Sequence, residues 1–235
     1  MFSKNQFSKF FDYTILKPTA IERDIINLCN EAMEYNFASV CIFPYWVKLA
    51  HKTLIDSVAK VSTVIDFPYG AGGKDSKVAE SQFAIENGAR ELDVVINISA
   101  LKSGDTDAVY DEIKEIVDCA KSMSSDDYKV STKFIIECCY LTDEEKKTAS
   151  RLVMDAGGDY VKTSTGTGPQ GAKVEDLAII KSVVGEKLGI KAAGGIRTAK
   201  DAVEMINAGA TRIGTSSAAR IVTEYIASHP EYANG

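Results

Sequence analysis

The stretch YVKTSTG, Tyr160 to Gly166, sets a single lysine inside a short β-branched run that ends in threonine, serine, threonine and glycine. Such a run reads as a strand passing into a tight polar turn, with Lys162 close to where the strand gives way to its loop. Strand lysines ordinarily lie on solvent faces, and residue type alone gives Lys162 no more than that. Its company changes the reading. GIKAAGG, Gly189 to Gly195, sets Lys191 in a second short apolar run ending in glycines, and ELDVVIN, Glu91 to Asn97, encloses Asp93 in a third. One ionisable residue among aliphatics in each of three strand-like segments is costly unless those groups meet one another. Their meeting point would be a site.

Outward from these segments the chain alternates between the two periodicities. Residues 2–10 read as a short helix with Phe2, Phe7 and Phe10 on a packing face, a lid over one end of the fold. Asp12 to Pro18 is a brief strand stopped by proline. Thr19 and Glu22 form a Thr-x-x-Glu capping box before a helix to about Asn36, with Ile25, Leu28, Cys29 and Ala32 on one face. Further strands read at 38–44, 61–68, 91–97 and 133–139, then in YVKTSTG, in GIKAAGG and at 212–217. Helices fall between them near 45–54, 76–87 and 107–121, up to Ala156 after a second capping box at Thr142 and Glu145, then near 175–185, 198–208 and 218–228. Gly70 to Gly73 reads as a turn. Eight strands alternating with helices favour an α/β fold, a closed (β/α)8 TIM barrel with a short N-terminal helix, over an open doubly wound sheet. Three segments, ENGARELDVV, DAGGDYVKTS and NAGATRIGTS, repeat a helix end, a glycine turn and a strand. No linker interrupts the series, so residues 1–235 are expected to form one domain.

The bulk properties fit. The chain has 235 residues, 45% hydrophobic and 26% charged, as in a soluble globular protein. A net charge of -6 argues against a nucleic-acid or membrane-surface partner and for a small molecule. No apolar run reaches transmembrane length, and MFSKNQFSKF lacks the continuous apolar core of a signal peptide, so the expected location is cytoplasmic. Cys29, Cys41, Cys119, Cys138 and Cys139 are odd in number and lack zinc-type spacing, and read as reduced thiols. With only His51 and His229, a histidine-rich metal site or a serine-histidine triad has little to work with.

Barrels of this kind form their sites at the C-terminal ends of the strands, where Asp12, Cys41, Asp93, Lys162, Lys191, Gly194, Gly195, Ser216 and Ser217 should converge. AGGIRT and IGTSSA, after the seventh and eighth strands, offer backbone N–H groups and hydroxyls at helix starts, where such barrels hold phosphate. The plainer alternative is that the glycines serve turns and a serine caps a helix. GTGPQGAK, Gly166 to Lys173, lacks the Lys-Ser/Thr ending of a nucleotide phosphate loop. As a nucleophile Lys162 must be neutral, and at a reference pKa of about 10.4 only about one molecule in two thousand would be so at pH 7. Burial and a second cation both push the proton off, and Lys191 is the natural second cation. Asp93 would act the opposite way if it faced Lys162, so it is expected to handle protons with Lys191 or a water rather than to hold Lys162 as an ion pair. A purely structural Lys-Asp-Lys network is the competing account.

Taken together, CIFP, IDFPYG, ELDVVIN, VKTSTG, KAAGGIRT and IGTSS, spread across nearly the whole chain, closely resemble the deoxyribose-phosphate aldolase family of class I aldolases. The resemblance implies a (β/α)8 barrel that reversibly cleaves 2-deoxy-D-ribose 5-phosphate to D-glyceraldehyde 3-phosphate and acetaldehyde, with no metal or organic cofactor. It makes Lys162 the Schiff-base lysine, Lys191 the lysine that perturbs it, Asp93 the carboxylate of the proton relay and Asp12 an aspartate near Lys191. Thr165, Gly166, Gly194, Gly195, Gly214, Ser216 and Ser217 match its substrate- and phosphate-binding loops, and Cys41 matches a cysteine near the substrate. The chain departs from many relatives at Tyr13, where they carry histidine, and at Thr167, where some carry a phosphate-binding lysine. The second departure implies weaker phosphate affinity or wider acceptance of unphosphorylated aldehydes. The alternatives are another phosphosugar barrel, whether an isomerase or a different lysine aldolase, and a barrel that binds a phosphorylated metabolite without turning it over. The helix faces leave room for a homodimer.

Overall fold

A computed structural model describes residues 1–233. Its eight parallel strands are β1 (Phe11–Ile15), β2 (Ser39–Ile42), β3 (Lys60–Ile65), β4 (Glu91–Val95), β5 (Ser131–Ile135), β6 (Tyr160–Lys162), β7 (Gly189–Ala193) and β8 (Arg212–Thr215). They pair in sequence order, and β1 closes on β8 through Phe11 opposite Ile213 and Asp12 opposite Gly214. The helices are α1 (Lys4–Ser8), α2 (Glu22–Glu34), α3 (Val47–Thr53), α4 (Lys74–Glu86), α5 (Ile98–Lys102), α6 (Thr106–Ser122), α7 (Asp143–Ala156), α8 (Val174–Val184), α9 (Ala199–Asn207) and α10 (Ala218–Ser228). This is the (β/α)8 barrel with a short leading helix. Among the described residues no helix is long and apolar enough to cross a membrane, and all five cysteines are free.

Strand alternation explains where the core lies. Phe11, Val40, Leu92, Val94, Phe134, Val161, Ile190 and Ile213 point away from the axis into one hydrophobic cluster with the helices. On α6 that cluster takes Val109, Ile113, Ile116, Val117 and Ala120, a helical stripe. The opposite faces of the same strands carry Asp12, Ser39, Ser62, Glu91, Asp93, Lys133, Lys162 and Lys191, all buried. The apolar core is therefore a sleeve between strands and helices, and the barrel axis is polar.

Several local expectations need correction. β1 ends at Ile15, short of Pro18. The capping box at Thr19 and Glu22 does not form. The helix starts only at Glu22, with Ile21 as its cap residue, and the Asp24 carboxylate accepts the Ile21 N–H at 3.1 Å. Thr142 and Glu145 do form the reciprocal box, Glu145 N–H donating to Thr142 Oγ1 at 3.3 Å and Thr142 N–H to Glu145 Oε2 at 2.7 Å. The helix α5 after β4 lies in a stretch that the sequence left irregular, and it is started by Asn97, whose Oδ1 accepts the Ala100 N–H at 3.0 Å. α1 packs on α10, with Phe7 stacked on Tyr225 at a ring separation of 4.1 Å.

Candidate active site

Lys162 is the last residue of β6, and Lys191 stands opposite it in register on β7. Asp93, on β4, faces Lys133 of β5 in the same way. Asp93 Oδ2 lies 2.6 Å from both Lys162 Nζ and Lys191 Nζ, and its Oδ1 lies 3.0 Å from Lys133 Nζ. The expectation that Asp93 would stand off from Lys162 is thus overturned. Three lysine nitrogens share this one carboxylate, so it can touch Lys162 without belonging to it alone.

The cluster continues down the axis. Lys191 Nζ meets Asp12 Oδ2 at 2.5 Å, Arg212 meets Asp12 Oδ1 at 2.6 Å and Glu91 Oε2 at 3.0 Å, and Lys133 meets Glu91 Oε2 at 2.6 Å. Ser39 donates to Asp12 at 2.7 Å and Ser62 to Asp93 at 3.2 Å. The carboxylates are Asp12, Glu91 and Asp93; the basic groups inside the barrel are Lys133, Lys162, Lys191 and Arg212, and half-exposed Lys60 adds a longer contact to Glu91 at 3.9 Å. Inside the barrel one basic group is in excess, and that set balances when Lys162 is a neutral amine.

The proton affinities agree with that count. Burial drives Lys162 below the usual lysine range, and nearby Lys191 adds to the depression while Asp93 opposes it. Burial also disfavours the charge on Lys191 and Lys133, but their carboxylates outweigh it and raise both. For Asp12 and Asp93 burial opposes ionisation, yet the surrounding cations win and hold both carboxyls well below the usual range. Lys162 is the one lysine of the cluster with a weakened hold on its proton.

A cavity of about 530 Å³ opens above Lys162 at the C-terminal ends of the strands. Thr165, Gly166, Gly194, Gly195, Gly214 and Ser216 line it, as do Thr167, Arg197 and Lys17. Asp12, Cys41, Asp93 and Lys191 do not; they are buried beneath it. Cys41 Sγ sits 3.9 Å from Asp93 Oδ2, and burial with that carboxylate raises its thiol pKa. Ser217 lies beside Ser216 at the start of α10, but its N–H donates to Thr215 Oγ1 at 3.0 Å. Gly194 adopts φ 86°, and a Cβ there would lie 2.9 Å from Gly171 Cα, so the loops after β6 and β7 touch only because both residues are glycine. Gly214 leaves space for the Lys191 stem, since a Cβ on it would come within 3.0 Å of Lys191 Cε.

Four contributors escaped the sequence reading. Glu91, Lys133 and Arg212 lie early or midway in their strands, away from the C-terminal ends where such sites form; Lys133 and Arg212 are each the one charge of their strand, and Glu91 stands two residues before Asp93 on the same face. Glu137 lies two residues past the end of β5, is 2% exposed, and accepts the Thr165 N–H at 3.2 Å and the Thr165 hydroxyl. A carboxylate closing the run FIIE was its available signal.

A parallel barrel that brings a buried amine with a lowered proton affinity to the wall of its C-terminal cavity is suited to adding that amine to a carbonyl, the first step of a lysine aldolase. The sequence model of the DeoC/LacD family aldolases matches residues 8–221, and the chain belongs to that family. A deoxyribose-phosphate aldolase of Caldicellulosiruptor saccharolyticus is 52% identical over 222 residues, covering 94% of this chain and 99% of the relative. One from Thermococcus kodakarensis is 51% identical over 222 residues, covering 94% and 97%. Among solved structures, the tetrameric deoxyribose phosphate aldolase of Aeropyrum pernix superposes with a TM-score of 0.87 at 34% identity, covering 95% of this chain and 92% of its own.

Proposed function

We propose that this aldolase cleaves 2-deoxy-D-ribose 5-phosphate reversibly to D-glyceraldehyde 3-phosphate and acetaldehyde, with Lys162 as the Schiff-base lysine. The observation that carries the reading is the contrast among the three axial lysines. Only Lys162 both lines the cavity and has its proton affinity lowered by burial and Lys191.

In the cleavage direction the neutral Lys162 amine adds to the C1 aldehyde and water leaves. The protonated imine then draws in the C2–C3 electron pair as the C3 hydroxyl gives up its proton. D-Glyceraldehyde 3-phosphate departs, the enamine is protonated at C2, and water releases acetaldehyde. Asp93 and Lys191 supply and take up these protons, and Asp12 acts through Lys191 as a positioning residue. Gly194, Gly195, Gly214 and Ser216 receive the phosphate, with Gly166 beside them, which fixes the far end of the sugar while C1 reaches the amine. Residues 1–235 serve as one barrel domain, cytoplasmic and homodimeric, and the reaction needs neither metal nor organic cofactor. The tetrameric relative supports self-association without fixing the number of copies.

Treatment with acetaldehyde and borohydride tests this reading by mass analysis. An ethyl adduct confined to the peptide containing Lys162 is the expected product, and its absence from folded protein would favour the isomerase or binding-barrel alternative. Comparing KM for deoxyribose and its 5-phosphate tests the phosphate assignment, including the weakening implied by Thr167.

A further inference from the structure

Glu137 is an unusual residue for the position it holds. It is almost wholly buried, it takes a left-handed backbone conformation with φ 52° and ψ 67°, and among the described residues no lysine, arginine or histidine nitrogen lies within 4.0 Å of its carboxylate. Its partners belong to the cavity loop after β6, apart from the Cys139 thiol at 3.7 Å. The Thr165 N–H points at Oε1 and Oε2 at 3.3 and 3.2 Å, and Thr165 Oγ1 contacts Oε2. Thr165 Oγ1 also lies 2.9 Å from Thr167 Oγ1 and 3.1 Å from the Thr167 N–H.

Donor and acceptor roles in this chain are not interchangeable. A carboxylate only accepts, so the Thr165 hydroxyl spends its proton on Glu137. The lone pairs of Thr165 Oγ1 must then accept, and they take the Thr167 N–H and the Thr167 hydroxyl proton. Thr167 is left with lone pairs and no proton for the cavity it lines. Such an oxygen repels a phosphate and suits a hydroxyl.

We propose that Glu137 is a positioning residue which fixes the hydrogen-bond polarity of the loop after β6, so that Thr167 accepts a hydroxyl of the electrophilic aldehyde. The site thereby selects hydroxylated over plain aldehydes, a specificity separate from phosphate binding. This rests on the aldolase reading above and adds a substrate feature to it.

The test pairs acetaldehyde as nucleophile with either glyceraldehyde or propanal, aldehydes of equal carbon number, and compares kcat/KM in the wild type, Thr167→Val, Thr167→Ser, Glu137→Gln and Glu137→Ala. In Thr167→Val the glyceraldehyde-to-propanal ratio falls on the order of tenfold, chiefly through KM for glyceraldehyde, as expected for one lost hydrogen bond. Thr167→Ser keeps the hydroxyl and the wild-type ratio. Glu137→Gln still offers Thr165 an amide oxygen as acceptor and keeps the ratio, whereas Glu137→Ala removes the acceptor, frees the Thr165 hydroxyl proton and lowers the ratio. Thr167 is exposed, so its two variants decide the matter even if a Glu137 variant does not fold. An unchanged ratio in Thr167→Val, or a parallel loss with both aldehydes, overturns the assignment. Failure of the wild type to trap acetaldehyde under borohydride removes the aldolase reading, and with it this one, and is distinguishable from either result.

Discussion

Lys162 and Lys191, opposite each other in register on β6 and β7, direct their Nζ atoms at the same atom, Asp93 Oδ2, each at 2.6 Å. Two cations on one oxygen cannot be equally satisfied. Lys191 has Asp12 as a second carboxylate and Lys162 has none, which is why burial depresses Lys162 while its neighbour is raised.

Lys162→Met keeps the length of the side chain and removes the amine. The acetaldehyde adduct disappears and kcat falls by at least roughly a thousandfold, as when a nucleophile is deleted. The variant also removes the basic group in excess within the buried set, so its thermal midpoint is expected to equal or exceed that of the wild type in calorimetry.

Lys191→Met acts on acidity more than on architecture. It removes a cation that depresses Lys162 and leaves Asp93 freer to hold a proton there, so the Lys162 pKa rises. The neutral amine then needs more alkaline solution, and the acid limb of the kcat/KM profile moves to higher pH. An acid limb that stays in place, measured from pH 5 to 9, would separate the two lysines.

Stability should fail in acid. Asp12 and Asp93 have folded pKa values below the unfolded value of about 3.9, so as pH falls the unfolded chain binds protons first. Their contribution is complete above that value and is lost progressively below it. Urea midpoints across pH 7 to 2.5 should hold level near neutrality and drop below about pH 4. Asp12→Asn, which loses a titrating group along with a buried partner, should start lower and fall less steeply.

Gly214→Ala tests the space around the perturbing lysine. The added methyl meets Lys191 Cε at 3.0 Å and Ala193 Cβ at 3.2 Å, so Lys191 must shift from Asp93 or the strands must part. Overpacking of this kind costs about 1–3 kcal/mol. A drop in kcat with deoxyribose as well as with its 5-phosphate would trace the effect to Lys191, whereas a change confined to KM for the phosphate would trace it to the loop.

The barrel was legible because its strands and helices differ in period, and because glycine turns mark the returns from helix to strand. The upper site was legible for a different reason: Asp93, Lys162 and Lys191 are charges flanked on both sides by aliphatic or β-branched residues. What the sequence hid is how far the charges extend. Lys133 was placed at the first residue of its strand, at the edge away from the mouth, whereas β5 begins at Ser131 and turns Lys133 inward against Asp93, Glu91 and Asp12. The direct contact of Asp93 with Lys162 was missed for the same reason, since its tolerance depends on Lys133 drawing on the other carboxylate oxygen. At α2, Asp24 sits three residues after Ile21 and serves the helix start, so the nearby Thr-x-x-Glu pattern went unused.

The charged axis bears on inheritance and on transplantation. Lys162 is coupled through Asp93, Lys191 and Asp12 to Arg212, at the opposite end of the barrel, and a lone change at one of the carboxylate links, Asp93 or Asp12, leaves buried cations without their counterpart. Such residues are expected to vary in compensating pairs or not at all. A designer who grafts the lysine motif onto another barrel must carry the whole column beneath it, because the reactivity of one amine is a property of the stack on which it rests.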